Sequence, residues 1–356
     1  MITARIPWVF ANALRPVVFR SGEESLMLKK IAIMAASAAL ALLLAGCAAE
    51  EPAQPEQGGE GQAAGEVAAL HTFVDDAGNE VVVESANRVV ACMGSFANMW
   101  ELAGGVLVGC SDDAFTFDSF DIASPGVQKV GDFSGINLEA VIALEPDFVI
   151  MTCGTGGRGG DSSQLDLAPA LEASGIPVAY FEVTTFADYE RMMGVLCEIT
   201  GRDDLYQANV ADVRAQIDAL VAEVPAGEAP SVLCMTTYSG GTRVQSSATM
   251  TGAMLAELGV ANLADENRSL LSDFSLESII ELDPDFIFVI PMGNDAEAAM
   301  AGLEQATAAN PAWATLTAVQ EDRYVALDPN LFLYKPNANW ADAYQFLFDT
   351  LYGQAS

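Results

Sequence analysis

Two stretches of the chain carry the same succession of apolar and polar positions. Residues 137–151 read NLEAVIALEPDFVIM and residues 275–289 read SLESIIELDPDFIFV. Leu138, Glu139, Leu144, Pro146, Asp147 and Phe148 thus fall opposite Leu276, Glu277, Leu282, Pro284, Asp285 and Phe286. In each stretch apolar residues recur at helical spacing until a proline forbids continuation, and an apolar run of buried-strand length follows. Asn137 and Ser275 are N-cap residues, and the glutamate two positions on suits the positive end of a helix. Each stretch predicts a short helix running into a strand. Two copies, one in each half of the chain, predict two structurally related halves rather than a repeat array. The plain alternative is that such joints recur by chance in α/β proteins.

The pattern extends on both sides. Residues 71–84 alternate about a turn at Asp75–Asn79 and predict a hairpin. A strand over Arg88–Cys92, a helix over Phe96–Ala103 and a strand over Val106–Cys110 predict a β-α-β unit, followed by a long loop over residues 111–133. After the first repeated stretch, a glycine-rich loop over residues 154–160, a helix over 165–173 and a strand over 176–182 close the first half. Residues 186–223 show no strand signal and read as helices broken at Gly201, a stiff connector that predicts small hinge motion. In the second half, residues 231–236 predict a strand, 238–243 a loop, 251–258 a helix and 263–274 a polar connection. A helix over 296–309, a turn over 311–313, a last strand over 324–327 and a closing helix over 339–352 follow. The fold class is α/β: two similar lobes with mainly parallel sheets, a rigid helical connector and a ligand cleft between the lobes. The expected divisions are 69–185 for the N-terminal lobe, 186–225 for the connector and 226–356 for the C-terminal lobe.

Composition changes the picture at the front. Of 356 residues, 15 are Lys or Arg and 49 are Asp or Glu, a formal charge of −34, which excludes a nucleic-acid binder. The single histidine, His71, argues against a His-rich metal site. Lys29 and Lys30 precede an apolar run over Ile31–Leu43 and then Leu44-Ala45-Gly46-Cys47. That order reads as a signal segment over residues 1–46, with Met27 the expected true start and residues 1–26 a mis-assigned leader. Residues 47–68 lack large apolar side chains and read as a flexible tether. The tetrad ending at Cys47 is similar to a bacterial lipobox. The similarity implies cleavage before Cys47, lipidation of its sulfur and an exported protein anchored to the cell membrane; lipoboxes occur in envelopes with one membrane or two. The alternative is a transmembrane helix with an incidental cysteine, which so short an apolar run would form poorly.

The order of elements resembles the substrate-binding proteins of ABC importers for iron-siderophores, haem and cobalamin, the class with a long interlobe helix. Arg88-Val-Val, Trp100 to Gly104, Val130-Gly131, Asn137-Leu-Glu and Pro146-Asp147 carry the resemblance in the first half. Leu258 to Leu263, Phe274 to Glu277, Pro284-Asp285, Asn310 to Trp313 and Arg323-Tyr-Val carry it in the second, so it covers residues 70–352. The resemblance implies a monomeric carrier that delivers a metal-chelate small molecule to permease and ATPase subunits. It has no intrinsic cofactor, and its cargo would be an iron chelate, haem or a corrinoid. It also implies that Glu139 and Glu277 pair with permease arginines; a favourable charge at each helix start is the alternative.

Ligands of open α/β sheets sit beyond the C-terminal strand ends. That rule nominates residues 92–100, 110–120, 153–158, 182–185, 235–243, 291–294 and 330–335, and within them Trp100, Phe115, Phe117, Arg158, Tyr238, Arg243, Tyr334 and Lys335 are the candidates for ligand binding. Phe120 and Phe332 are further candidate walls. Cations placed at the cleft of so acidic a chain suit anionic oxygens; solvated loop charges and core aromatics are the alternatives. Besides Cys47 there are Cys92, Cys110, Cys153, Cys197 and Cys234. Cys92 and Cys110 are placed to bridge, thiolate ligation of a soft metal is a second reading, and small buried hydrophobes a third. No G-x-S-x-G, HExxH or P-loop pattern occurs, so the expectation is a carrier rather than an enzyme. A lipid-anchored enzyme on the same fold and a surface adhesin are the alternatives.

Overall fold

The computed structural model describes residues 70–117, 119–154, 164–227, 229–293 and 295–353. They belong to one compact unit that begins at Gly65. The signal segment, Cys47, the tether and Arg158 lie outside the described residues.

The hairpin expected at the front is β1 (His71–Val74) paired antiparallel with β2 (Glu80–Val83). Asp75 closes its turn by accepting from the N–H groups of Ala77 and Asn79. The first sheet is built from β3 (Val89–Ala91), α1 (Gly94–Leu102), β4 (Leu107–Cys110) and β5 (Gln128–Lys129). A ribbon of β6 (Gly131–Asp132) and β7 (Gly135–Ile136) leads to α2 (Leu138–Ala143) and β8 (Phe148–Thr152), then α3 (Ala168–Ala173) and β9 (Val178–Phe181). The sheet order is β5-β4-β3-β8-β9, parallel throughout. The hairpin turn covers the outer edge of β9, because Asp75 accepts from Tyr180 N–H and Asp76 from Glu182 N–H.

The connector runs through α4 (Phe186–Thr200), a left-handed Gly201 (φ 67°), a short turn, a π-helical turn over Gln207–Ala211 and α5 (Asp212–Ala222). Thr185 and Asp188 form a reciprocal capping box at its start. The second sheet takes β10 (Ser231–Tyr238), β11 (Gly241–Gln245), α6 (Met250–Glu257) and β12 (Ala261–Asn262). It is completed by α7 (Leu276–Leu282), β13 (Phe286–Pro291), α8 (Ala296–Ala308), β14 (Tyr324–Ala326) and α9 (Trp340–Tyr352). Strand β10 pairs parallel with β12 and β13, and β13 with β14. The succession β12-β10-β13-β14 thus repeats β4-β3-β8-β9.

The repeat holds at atomic detail. Asn137 and Ser275 each cap their helix by accepting from the N–H three residues on. Glu145 and Asp283, each just before the proline, both take left-handed backbone (φ 46° and 42°). Asp147 accepts from Ser85 Oγ and from the N–H groups of Asn87 and Arg88, fixing the start of β3. Asp285 accepts from Ser231 N–H and Oγ, fixing the start of β10. Each aspartate ties a sheet strand to its parallel neighbour, which explains why Pro-Asp occurs at matching positions.

One departure concerns residues 238–243, expected as a loop. They form a tight turn into β11, which pairs antiparallel with β10 over Cys234–Tyr238. Arg243, opposite Thr236, is therefore presented by a strand. The largest apolar cluster runs through both halves, joining Phe96, Trp100 and Phe148 to Phe186 and Tyr189 of α4 and to Phe288, Trp340 and Tyr344, while a smaller cluster lies on the other face of each sheet. Among the described residues no helix is long and apolar enough to cross a membrane.

Candidate functional site

The C-terminal ends of the parallel strands in both sheets carry the residues where the halves meet. From the first half come Met93 after β3, the 3-10 turn Asp112–Phe115 with Phe117 after β4, and Glu182 after β9. From the second come Gly293 after β13 and residues 332–337 after β14. Phe117 and Tyr334 stack across the junction with ring centroids 3.9 Å apart and planes 23° from parallel. The Tyr334 hydroxyl accepts from Gly293 N–H at 3.2 Å, which orients its ring. Phe120 is buried and meets Phe117 edge-on at 6.0 Å.

Lys335 follows with left-handed backbone, φ 71°. Its Nζ lies 3.9 Å from Met93 Sδ and 5.9 Å from the Phe96 ring centroid. Among the described residues it forms no ion pair. Burial holds its pKa below the ordinary lysine value, partly opposed by the charges of Asp113 and Glu182. Asp113 itself is pushed up by burial, although Gly94 N–H donates to its Oδ2 at 2.9 Å. The approach requires glycine, since a Cβ on Gly94 would lie 2.6 Å from Ala114 N. Asn337, also left-handed (φ 49°), donates to Ser95 O and Asn98 Oδ1 across the same junction.

The sequence-nominated residues divide accordingly. Phe117, Tyr334 and Lys335 come together. Phe115 lies two residues before Phe117 but is 45% exposed, with Lys129 Nζ 5.1 Å from its ring centre. Tyr238 and Arg243 meet each other on the β10–β11 hairpin, the guanidinium 5.4 Å from the ring. Trp100 is a correction: it is 1% exposed, donates to Val106 O and packs on Phe148, so its indole is core rather than a ligand wall. It lies two turns into α1, far from the helix start that faces the strand ends. Phe332 is buried as well. Met93 and Asp113 fall in the nominated stretches 92–100 and 110–120 but were not singled out there, and Asn337 lies beyond the last stretch; its left-handed conformation had no local signal in the sequence.

The Cys92–Cys110 bridge is also corrected. Cys110 pairs in register with Ala91, so both point to one face of the sheet and Cys92 points to the other. All five described cysteines are free, and Cys197 sits in the core as expected. Burial raises every one of these thiols, Cys153 and Cys197 to about 11 and Cys110 and Cys234 to about 12. At pH 8 the five should therefore react with a thiol reagent at least about a hundredfold slower than an ordinary cysteine, and at the ordinary rate once the chain is unfolded. A fast-reacting thiol among these five in the native protein would contradict this placement. Among the described residues no group of His, Cys, Asp or Glu is arranged to hold a metal ion.

Two α/β halves joined by a helical connector, with aromatic and charged side chains meeting at their strand ends, define a two-lobed ligand-binding fold. The family model described as periplasmic binding protein matches residues 89–331, more than half of the chain, and the chain belongs to that family. It is 23% identical over 266 residues to the Fe(3+) dicitrate-binding periplasmic protein FecB of Escherichia coli, covering 73% of this chain and 82% of that one. It is 32% identical to the vitamin B12-binding protein of Vibrio campbellii over 94 residues, which span 26% of this chain and only 32% of the relative. The periplasmic haem-binding protein HutB of Vibrio cholerae superposes with a TM-score of 0.60 at 24% identity, over 75% of this chain and 100% of that one. Staphylococcus aureus SirA complexed with staphyloferrin B gives 0.61 at 18% identity, over 80% and 98%. The names of the first three describe binding proteins for an iron chelate, vitamin B12 and haem.

Proposed function

We propose that the chain captures an iron chelate, haem or a corrinoid outside the cytoplasm and delivers it to the permease and ATPase of an ABC importer. Family membership supports the carrier role, and the names of its relatives supply the cargo classes. The observation that carries a ligand site is the junction of Phe117, Tyr334 and the Lys335 ammonium, which has no carboxylate partner among the described residues. Lipidation of Cys47 would hold the protein at the membrane surface by the tether over residues 47–68. In this reading the lobes are residues 69–185 and 226–356, and Glu139 and Glu277, both exposed at helix starts, contact the permease.

An unfolding-temperature screen of the chain from about residue 66 tests the reading. Haem, cobalamin and ferric siderophores, each at a hundred times its dissociation constant, stabilise a binder by about 2.7 kcal/mol. One class should shift the transition selectively, without turnover of the ligand. No shift with any of them would remove the carrier assignment.

A further inference from the structure

The Phe117–Tyr334 pair and Lys335 specify more than a carrier. Phe117 comes from the segment after β4 and Tyr334 from the segment after β14, so the stack joins the two halves face to face. Two rings this close to parallel are walls between which a flat layer fits. A non-planar ligand entering there loses the ring–ring contact and offers no flat surface in return. A flat conjugated layer adds about 3.5 Å to the spacing and is stacked on both faces, so one aromatic contact is exchanged for two. The next residue, Lys335, has its ammonium among Met93 and Phe96 with no carboxylate within ion-pair distance among the described residues. Asp113 and Glu182 act on it only at longer range. A half-buried cation with no carboxylate partner among the described residues is costly, and an anionic oxygen brought by the ligand supplies the missing charge and a charge-assisted hydrogen bond.

We infer that this site selects a flat conjugated ring carrying an anionic oxygen, held between Phe117 and Tyr334 with the anion on Lys335. The inference rests on the carrier reading above and narrows it: chelates built only from aliphatic hydroxamates or citrate lack the flat element.

The test uses the full chain in detergent and compares two sets of probes. Metal-free protoporphyrin IX and haemin are flat and anionic, and ferric 2,3-dihydroxybenzoate presents flat anionic rings; ferric citrate and a ferric trihydroxamate lack conjugated rings. The flat probes should bind, and Phe117→Leu and Tyr334→Leu should each weaken them at least tenfold. Tyr334→Phe keeps the ring and should hold affinity within threefold. Lys335→Met should weaken protoporphyrin IX at least tenfold relative to its neutral dimethyl ester. Melting temperatures of the ligand-free variants show that each is folded. Binding of ferric citrate or the trihydroxamate alone would leave the carrier reading standing and overturn this inference, as would flat probes indifferent to both leucine variants. Binding of no probe in either set would overturn this inference, and if cobalamin also failed to bind, the carrier reading with it.

Discussion

Trp340→Ala is expected to destabilise the protein by about 3–5 kcal/mol, the range for truncating a buried tryptophan. Its indole is fully buried at the first residue of α9, with Phe186 edge-on at 5.8 Å and Tyr189 at 6.2 Å. Both partners lie on α4, which also packs against α1 and β1 of the first half, so the cavity would open where the core passes between the halves. Small domains have about 5–15 kcal/mol in total, which makes this a large fraction. Urea unfolding should show one cooperative transition moved to lower concentration, because the core is shared. Trp340→Phe should cost much less: it refills most of the space and deletes an indole N–H that has no partner among the described residues. Two separate transitions, with only one displaced by Trp340→Ala, would show that the halves unfold independently and that the connector does not unite them.

The order of elements was legible because the signals that set it are local. Periodicity placed the helices and strands, prolines 146 and 284 ended two helices, and Gly201 marked the break in the connector through its left-handed conformation. The matched Pro-Asp pairs were visible, but their purpose was not. Asp147 and Asp285 act on Ser85–Arg88 and Ser231, more than fifty residues earlier. Arg243 was misread because Gly240 and Gly241 suit an open loop and a tight hairpin turn equally, and only pairing with β10 decides between them. The Cys92–Cys110 proposal failed on strand register, which a sequence does not state.

The site was half legible for the same reason. Phe117, Tyr334 and Lys335 were nominated from their place after strands, yet nothing local says that rings more than two hundred positions apart stack. Asn337 shows the limit most plainly. Its hydrogen bonds to Ser95 and Asn98 require a left-handed backbone adopted only because the chain must turn there against α1. Trp100 failed in the opposite direction, since an aromatic near a strand end is equally suited to core, and its bond to Val106 O settles the matter.

Reversing both Glu139→Lys and Glu277→Lys is expected to leave ligand binding unchanged and to reduce uptake by the reconstituted transporter to background. The caps at these helices are made by Asn137 and Ser275, not by the glutamates, so the folds of α2 and α7 should survive. Each substitution replaces a favourable charge at a helix start with an unfavourable one, a local cost of order 1 kcal/mol per site. At a docking surface the effect is larger. Losing one partner of a close charge pair costs about 2–5 kcal/mol, and reversal adds repulsion. Two sites together should exceed about 4 kcal/mol, a thousandfold or greater loss of permease affinity. The ligand-induced rise in melting temperature should be retained in full, because neither glutamate lies at the junction of Phe117, Tyr334 and Lys335. Undiminished uptake by the double variant would return both glutamates to the lesser role of charges favouring their helix starts. Weakened ligand binding would instead place them in the cargo site and sink the docking assignment.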